Sequence, residues 1–148
     1  MNPTALFWFR RDFRLQDNAG LYHALKSGEN IQPIFIFDQN ILSKLEDKDD
    51  RRVTFIYRQI ERLKKELNQL GSDLWVFYGI PLEIHKKLLS NHYISGLYAN
   101  RDYEPYARER DKAIFELYQS KDLRFRAFKD HVIFEKDEVL KNDGTPYT

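Results

Sequence analysis

Guanidinium and carboxylate side chains crowd two short stretches of this sequence. One is Arg10–Arg11–Asp12–Phe13–Arg14, directly after an apolar run, and the other is Asn100–Arg101–Asp102–Tyr103–Glu104, directly after a second such run. Arg10, Arg11 and Arg14 can hold an anion, because the planar guanidinium fork matches carboxylate and phosphate oxygens. The same three equally suit structural pairing with Asp12, with Asp17 or with a neighbouring domain. Glu104 precedes Pro105, and a proline at the first helical position leaves the glutamate at the cap. There it either answers the helix dipole, worth about 0.3–1 kcal/mol, or accepts hydrogen bonds from hydroxyl and N–H groups of a ligand.

Other chemistries are set aside by what is missing. The chain has no cysteine, which removes disulfides, thiolate zinc sites, iron–sulfur ligation and thiol nucleophiles together. His23, His85, His92 and His131 match no zinc spacing, so no metal site is expected and the histidines read as surface or partly buried side chains. Asp47, Asp49 and Asp50 lack the glycine and glutamate of a calcium loop. The turn after the first apolar run contains no glycine, so neither a dinucleotide fingerprint nor a P-loop is present. No nucleophile elbow stands out. Basic residues number 24 and acidic ones 23, a net charge of +1, which argues against a general polyanion binder.

The elements that would carry these groups alternate. Apolar runs at 5–9, 31–37, 74–78, 94–99 and 124–128 read as strands, several of them apolar on both faces as a sheet covered by helices requires. Between them, Val53, Ile56, Tyr57, Ile60, Leu63, Leu67 and Leu70 recur by threes and fours and stop at Gly71, predicting one long helix. Asp17 is expected to cap a helix ending near Gly28, Pro81 to open another, and Pro105 a last one. The charge run 46–52 reads as a solvated loop. Strand and helix repeated in this way predict a doubly wound parallel sheet of five strands with helices on both faces, Rossmann-like. Short apolar pieces at 132–134 and 139–140, and the turn signal Asn142–Asp143–Gly144, follow it.

The 148 residues suit one domain, and 42% hydrophobic content suffices for a core. The apolar runs are too short to cross a bilayer and no signal-peptide core is visible, so a cytoplasmic protein without membrane contact is expected. The abrupt end suggests a piece of something longer. In open α/β sheets, ligands bind beyond the carboxyl ends of the strands where strand order reverses. That rule picks out both charged stretches, together with Asp38, Gln39 and Asn40 after the second strand.

Residues 8–18, Trp8–Phe9–Arg10–Arg11–Asp12–Phe13–Arg14–Leu15–Gln16–Asp17–Asn18, resemble the opening signature of the DNA photolyase/cryptochrome family. Residues 98–111, centred on Tyr103–Glu104–Pro105–Tyr106, are similar to a second signature of that family, and Asp130–His131 and Gly144–Thr145–Pro146–Tyr147–Thr148 to later landmarks. The resemblance spans essentially the whole chain in order. It implies the N-terminal α/β antenna domain, residues 1–148, of a light-driven DNA repair enzyme acting on cyclobutane pyrimidine dimers. It also implies that FAD and the damaged DNA belong to a C-terminal helical domain, and that residues 1–148 alone repair nothing.

Where folate-binding relatives often carry Asn–Glu, Tyr106–Ala107 stand here, so the resemblance favours a deazaflavin-type antenna chromophore over folate. Carried over by motif, Arg52, Asp102, Glu104 and Arg110 would contact it, and Phe37, Asp38, Gln39 and Asn40 would border the crevice. An interdomain ion-pair cluster is the other role open to these charges. A cryptochrome photoreceptor domain is the alternative function, and a universal-stress-protein-like nucleotide-binding module a more remote one, for which the Gly-rich loop is missing. Without its partner domain, the chain is expected to expose apolar surface and to self-associate.

Overall fold

The computed structural model describes residues 2–42 and 51–129. Five strands, β1 (Thr4–Phe9), β2 (Asn30–Asp38), β3 (Trp75–Gly79), β4 (Ile94–Asn100) and β5 (Arg124–Phe128), form one sheet in the order β3-β2-β1-β4-β5. Every neighbouring pair is parallel. The helices are α1 (Ala19–Lys26), α2 (Gln39–Leu42), α3 (Arg51–Gln69), α4 (Pro81–Asn91) and α5 (Pro105–Ser120). The chain steps outward from β1 through β2 to β3, then returns to the far side of β1 for β4 and β5. The direction of winding therefore reverses between β1 and β4, the position where such sheets open a crevice.

Strand period explains the two cores. On β1 and β2, Ala5, Phe7, Phe9, Phe35 and Phe37 point to one face, where they meet Leu21 and Ala24 of α1 and Ile60, Leu63 and Leu67 of α3. Leu6, Trp8, Ile34 and Ile36 point to the other, against Leu88 of α4 and Ile114 and Tyr118 of α5. Each fully buried large apolar side chain contributes about 1.5–3 kcal/mol. The long helix buries Ile60, Leu63 and Leu67 of its predicted stripe but leaves Tyr57 and Leu70 exposed, and it ends as expected: Gly71 takes φ +83°, and the Ser72 N–H returns to the Leu67 carbonyl at 2.9 Å.

Local chemistry shifts two boundaries and adds one element. Asn18, not Asp17, caps α1: its side chain accepts from the Leu21 N–H at 3.0 Å, whereas Asp17 sits at φ +50° in the turn before it. An N-cap needs extended backbone, which Asn18 has and Asp17 lacks. Arg51 and Arg52 belong to α3 rather than to the expected loop, residues 46–50 of which lie outside the described residues. The one-turn α2 was not foreseen. Pro81 and Pro105 open α4 and α5 as expected. The apolar pieces and turn signal of 132–144, and the family landmarks at 130–131 and 144–148, also lie outside the described residues. Among the described residues, no helix is long and apolar enough to cross a membrane.

Candidate functional site

Beyond the carboxyl ends of β1 and β2, between the first turns of α3 and α5, a cleft of about 880 Å³ opens. Its size and mainly apolar wall suit a small organic molecule. Trp8, Phe35, Ile36 and Phe37 line it from the sheet, and Ile41, Leu42, Phe55 and Ile56 from α2 and α3. Charged groups ring this surface: Arg10, Arg11 and Arg14 after β1, Arg51 and Arg52 on α3, and Asp38, Asp102, Glu104 and Arg110.

Arg110 organises the polar part. Ala107, Ile114 and Tyr118 form the buried face of α5, and Arg110, three residues after Ala107 and four before Ile114, must share it. Its side chain is 8% exposed. Nη1 stands 3.7 Å from Asp38 Oδ2, Nη2 3.7 Å from Asp102 Oδ2, and Nε 3.2 Å from Asp111 Oδ1. Buried Nη2 makes no hydrogen bond within the described structure, although such groups are normally satisfied. One turn earlier, Tyr106 donates its hydroxyl to Asp38 at 2.8 Å. Burial, and then the neighbouring Asp38 carboxylate against the opposing Asn40 contact, hold that phenol above its ordinary pKa, so Tyr106 is a donor at neutral pH.

Arg10 forms a second layer. Its Nη1 pairs with Asp111 at 2.5 Å and its Nη2 donates to the Asn100 carbonyl. Burial lowers its pKa, with Asp111 opposing, but a guanidinium stays charged in any case. Both guanidiniums, of Arg10 and of Arg110, lie 4.9 Å from the Trp8 ring centroid. Behind this layer Asp12 is 3% exposed and accepts from the Arg10 N–H at 2.9 Å and from Asn100 Nδ2 at 2.5 Å. Asn100 in turn takes the Gly20 N–H at 2.8 Å, so the network fixes the turn that aims Arg10 and Arg11. Burial raises the Asp12 pKa, against the pull of its hydrogen bonds.

The structure brings Phe37, Asp38, Arg52, Asp102, Glu104 and Arg110 together on the cleft, with Arg10, Arg11 and Arg14 beside them. Gln39 and Asn40 fall outside the lining; Asn40 instead donates to the Tyr106 hydroxyl at 3.3 Å. Asp12 stands behind the wall. Arg11 reaches Glu104 at 3.5 Å and Asp102 at 3.8 Å, Arg14 bonds the Asp17 carbonyl, and Glu104, at the α5 cap, makes no capping hydrogen bond. Sequence reading missed Trp8 and Tyr106. Both carried a signal: Trp8 shares a strand face with Arg10 two residues on, and Tyr106 a helix face with Arg110 four residues on.

His85, expected to be a surface or partly buried side chain, is fully buried. Its Nδ1 meets the Tyr118 hydroxyl at 2.8 Å. Burial first, then the Arg10 and Arg110 charges, push its pKa down to about 3, so it is a neutral core group. Among the described residues, no cluster of histidine and carboxylate side chains is able to hold a metal ion.

The model of the family described as DNA photolyase matches residues 5–148. A Synechococcus deoxyribodipyrimidine photo-lyase is 31% identical over 148 residues, 100% of this chain and 30% of that protein. Cryptochrome-1 of Gallus gallus is 27% identical over 99% of the chain and 24% of its own length. Among solved structures, an archaeal photolyase from Sulfolobus tokodaii, reported with two FAD molecules and an implied novel light-harvesting cofactor, superposes with a TM-score of 0.82 at 29% identity. That match covers 93% of this chain and 32% of the other. The chain thus spans about a third or less of the length of these relatives.

Proposed function

Because this chain belongs to the DNA photolyase family, we propose that its cleft is an antenna site serving a deoxyribodipyrimidine photolyase, an enzyme that splits cyclobutane pyrimidine dimers in DNA with light. In this reading residues 1–148 form the antenna-binding α/β domain, and FAD, damaged DNA and the lyase chemistry belong to a helical domain outside these residues. The single observation that carries the assignment is the open, apolar, arginine-rimmed cleft at the strand-order switch, with the buried Arg110 in its wall.

The residues present fit a tricyclic isoalloxazine or deazaflavin. Trp8, Phe37 and Phe55 offer apolar surface to a flat ring. Arg110 would donate to a ring carbonyl or anionic ring nitrogen, while Asp102 and Glu104 would accept from ring N–H and side-chain hydroxyl groups. When bound, such a group supplies absorption of blue light and transfer of the excitation to the flavin of the helical domain. Tyr106–Ala107 at the places of the folate-type Asn–Glu pair support deazaflavin over folate. The FAD of the Sulfolobus relative supports the flavin class as the next choice.

A cryptochrome photoreceptor is the second reading, favoured by the cryptochrome relatives that match 99% of this chain. It uses the same site and differs in lacking repair. The chromophore class is tested by titrating the chain with 5-deazariboflavin, riboflavin and 5,10-methenyltetrahydrofolate and following absorbance and fluorescence. We expect the tricyclic compounds to bind at least about tenfold tighter than folate, a difference of about 1.4 kcal/mol. Failure of all three to bind, or preference for folate, would overturn the assignment.

A further inference from the structure

Trp8 is 2% exposed, lines the cleft, and has two guanidiniums, those of Arg10 and Arg110, at 4.9 Å from its ring centroid. Indole is the most easily oxidised ring among protein side chains, and a photoexcited isoalloxazine is a strong one-electron oxidant. Such a guest beside Trp8 invites a wasteful step. One electron would leave the indole, giving an indole radical cation and a one-electron-reduced guest, and recombination would return both to the ground state with the photon lost.

The two cations bear on that step directly. They attract the electron-rich face of the neutral ring and repel the same ring once it has lost an electron, in a site from which water is largely excluded. Asp111 on Arg10, and Asp38, Asp102 and Asp111 around Arg110, moderate the field, while the guanidiniums themselves stand 4.9 Å from the ring centroid. The neighbouring ring reports the same field: His85, in edge contact with Trp8 at 4.7 Å, is kept from taking a positive charge by burial and then by Arg10 and Arg110. The other oxidisable ring at the cleft, Tyr106, must shed its hydroxyl proton to be oxidised. Its hydrogen-bond acceptor is Asp38, which also stands 3.7 Å from Arg110.

We infer that Arg10 and Arg110 keep Trp8 from donating an electron to a photoexcited guest, so that excitation in the cleft survives long enough to be passed on. The inference rests on the antenna reading above.

Time-resolved fluorescence of riboflavin bound at saturation to the 148-residue chain tests it. Arg10→Gln, and Arg10→Gln with Asp111→Asn so that no carboxylate is stranded, should each shorten the bound lifetime by about threefold or more. Adding Trp8→Phe to either should restore the lifetime to that of Trp8→Phe alone. An unchanged lifetime in the bound Arg10 variants, or a shortening that persists without Trp8, overturns the inference and leaves the antenna reading standing. Should riboflavin not bind the parent chain, voltammetry of the apoprotein still decides the point. With only two tryptophans in the sequence, Trp75→Phe leaves Trp8 alone. Arg10→Gln in that background should shift the Trp8 oxidation potential downward, and an identical potential overturns the inference.

Discussion

Arg110 on α5 stands 3.7 Å from Asp38 at the end of β2, and the two side chains are only 8% and 6% exposed. The pair crosses the strand-order switch: β2 belongs to one wing of the sheet, while α5 packs under the other. The contact that closes one side of the cleft therefore also ties the two wings together, and site and scaffold share the same charges.

Replacing Arg110 should expose that double role. Arg110→Met leaves Asp38 and Asp102, at 6% and 7% exposure, without their buried counter-ion. Losing one partner of a buried pair costs about 3–5 kcal/mol. Denaturant unfolding should show a midpoint lowered by that order with an unchanged slope. A midpoint equal to the parent's would mean that the carboxylates are solvated and the pair idle.

Gly20 is held by space. A Cβ there would lie 2.8 Å from Asn100 Oδ1, 3.0 Å from the Phe7 ring and 3.2 Å from the Ala99 backbone. Gly20→Ala gains about 1 kcal/mol of helix propensity but faces an overpacking cost of about 1–3 kcal/mol, and it strikes the network that aims Arg10. Net destabilisation is expected in thermal or denaturant unfolding. A stabilised variant would show that α1 can shift away from β4 freely.

His85 makes folding sensitive to acid. Its pKa falls from 6.5 to about 3 in the folded chain, so below 6.5 the unfolded chain binds the proton and the folded one does not. Stability from this group is complete above pH 6.5 and is lost as pH falls toward about 3, by up to about 1.4 kcal/mol per pH unit. Asp12, whose pKa is raised by burial, tilts the other way upward from its ordinary 3.8, so the comparison must be with a variant. His85→Gln, which keeps a partner for Tyr118, should flatten the acid side of the stability profile. Parallel profiles would contradict the buried neutral histidine.

Self-association should run along the β3 edge. Val76 and Tyr78 are 40% and 60% exposed on a strand whose residues carry no charge, β3 is an edge strand among the described residues, and such edges invite strand pairing. Sedimentation velocity should show concentration-dependent mass that Val76→Lys suppresses. A strict monomer at high concentration would count against it.

The parallel sheet was legible because its strands are short apolar runs and its helices keep a clean spacing, with Gly71, Pro81 and Pro105 as punctuation. Motif resemblance picked out Asp102, Glu104, Arg110 and Arg52 together, and the topology gathers them at one cleft. Trp8 was hidden because an aromatic in a central strand reads as core, which it also is. His85 was misjudged because a polar ring can be buried when a partner such as Tyr118 stands opposite, and that partner comes from another helix. Asn18 and Asp17 are both good capping residues, and only the backbone angle chooses between them.

The cleft itself is tested most directly by titrating 5-deazariboflavin into the chain and into a variant carrying Asp102→Ala and Glu104→Ala, following the difference absorption of the bound ring. The account predicts saturable binding that the variant weakens by about tenfold or more, equivalent to about 1.4 kcal/mol or more. Binding of equal strength in both proteins would place the chromophore elsewhere and contradict it.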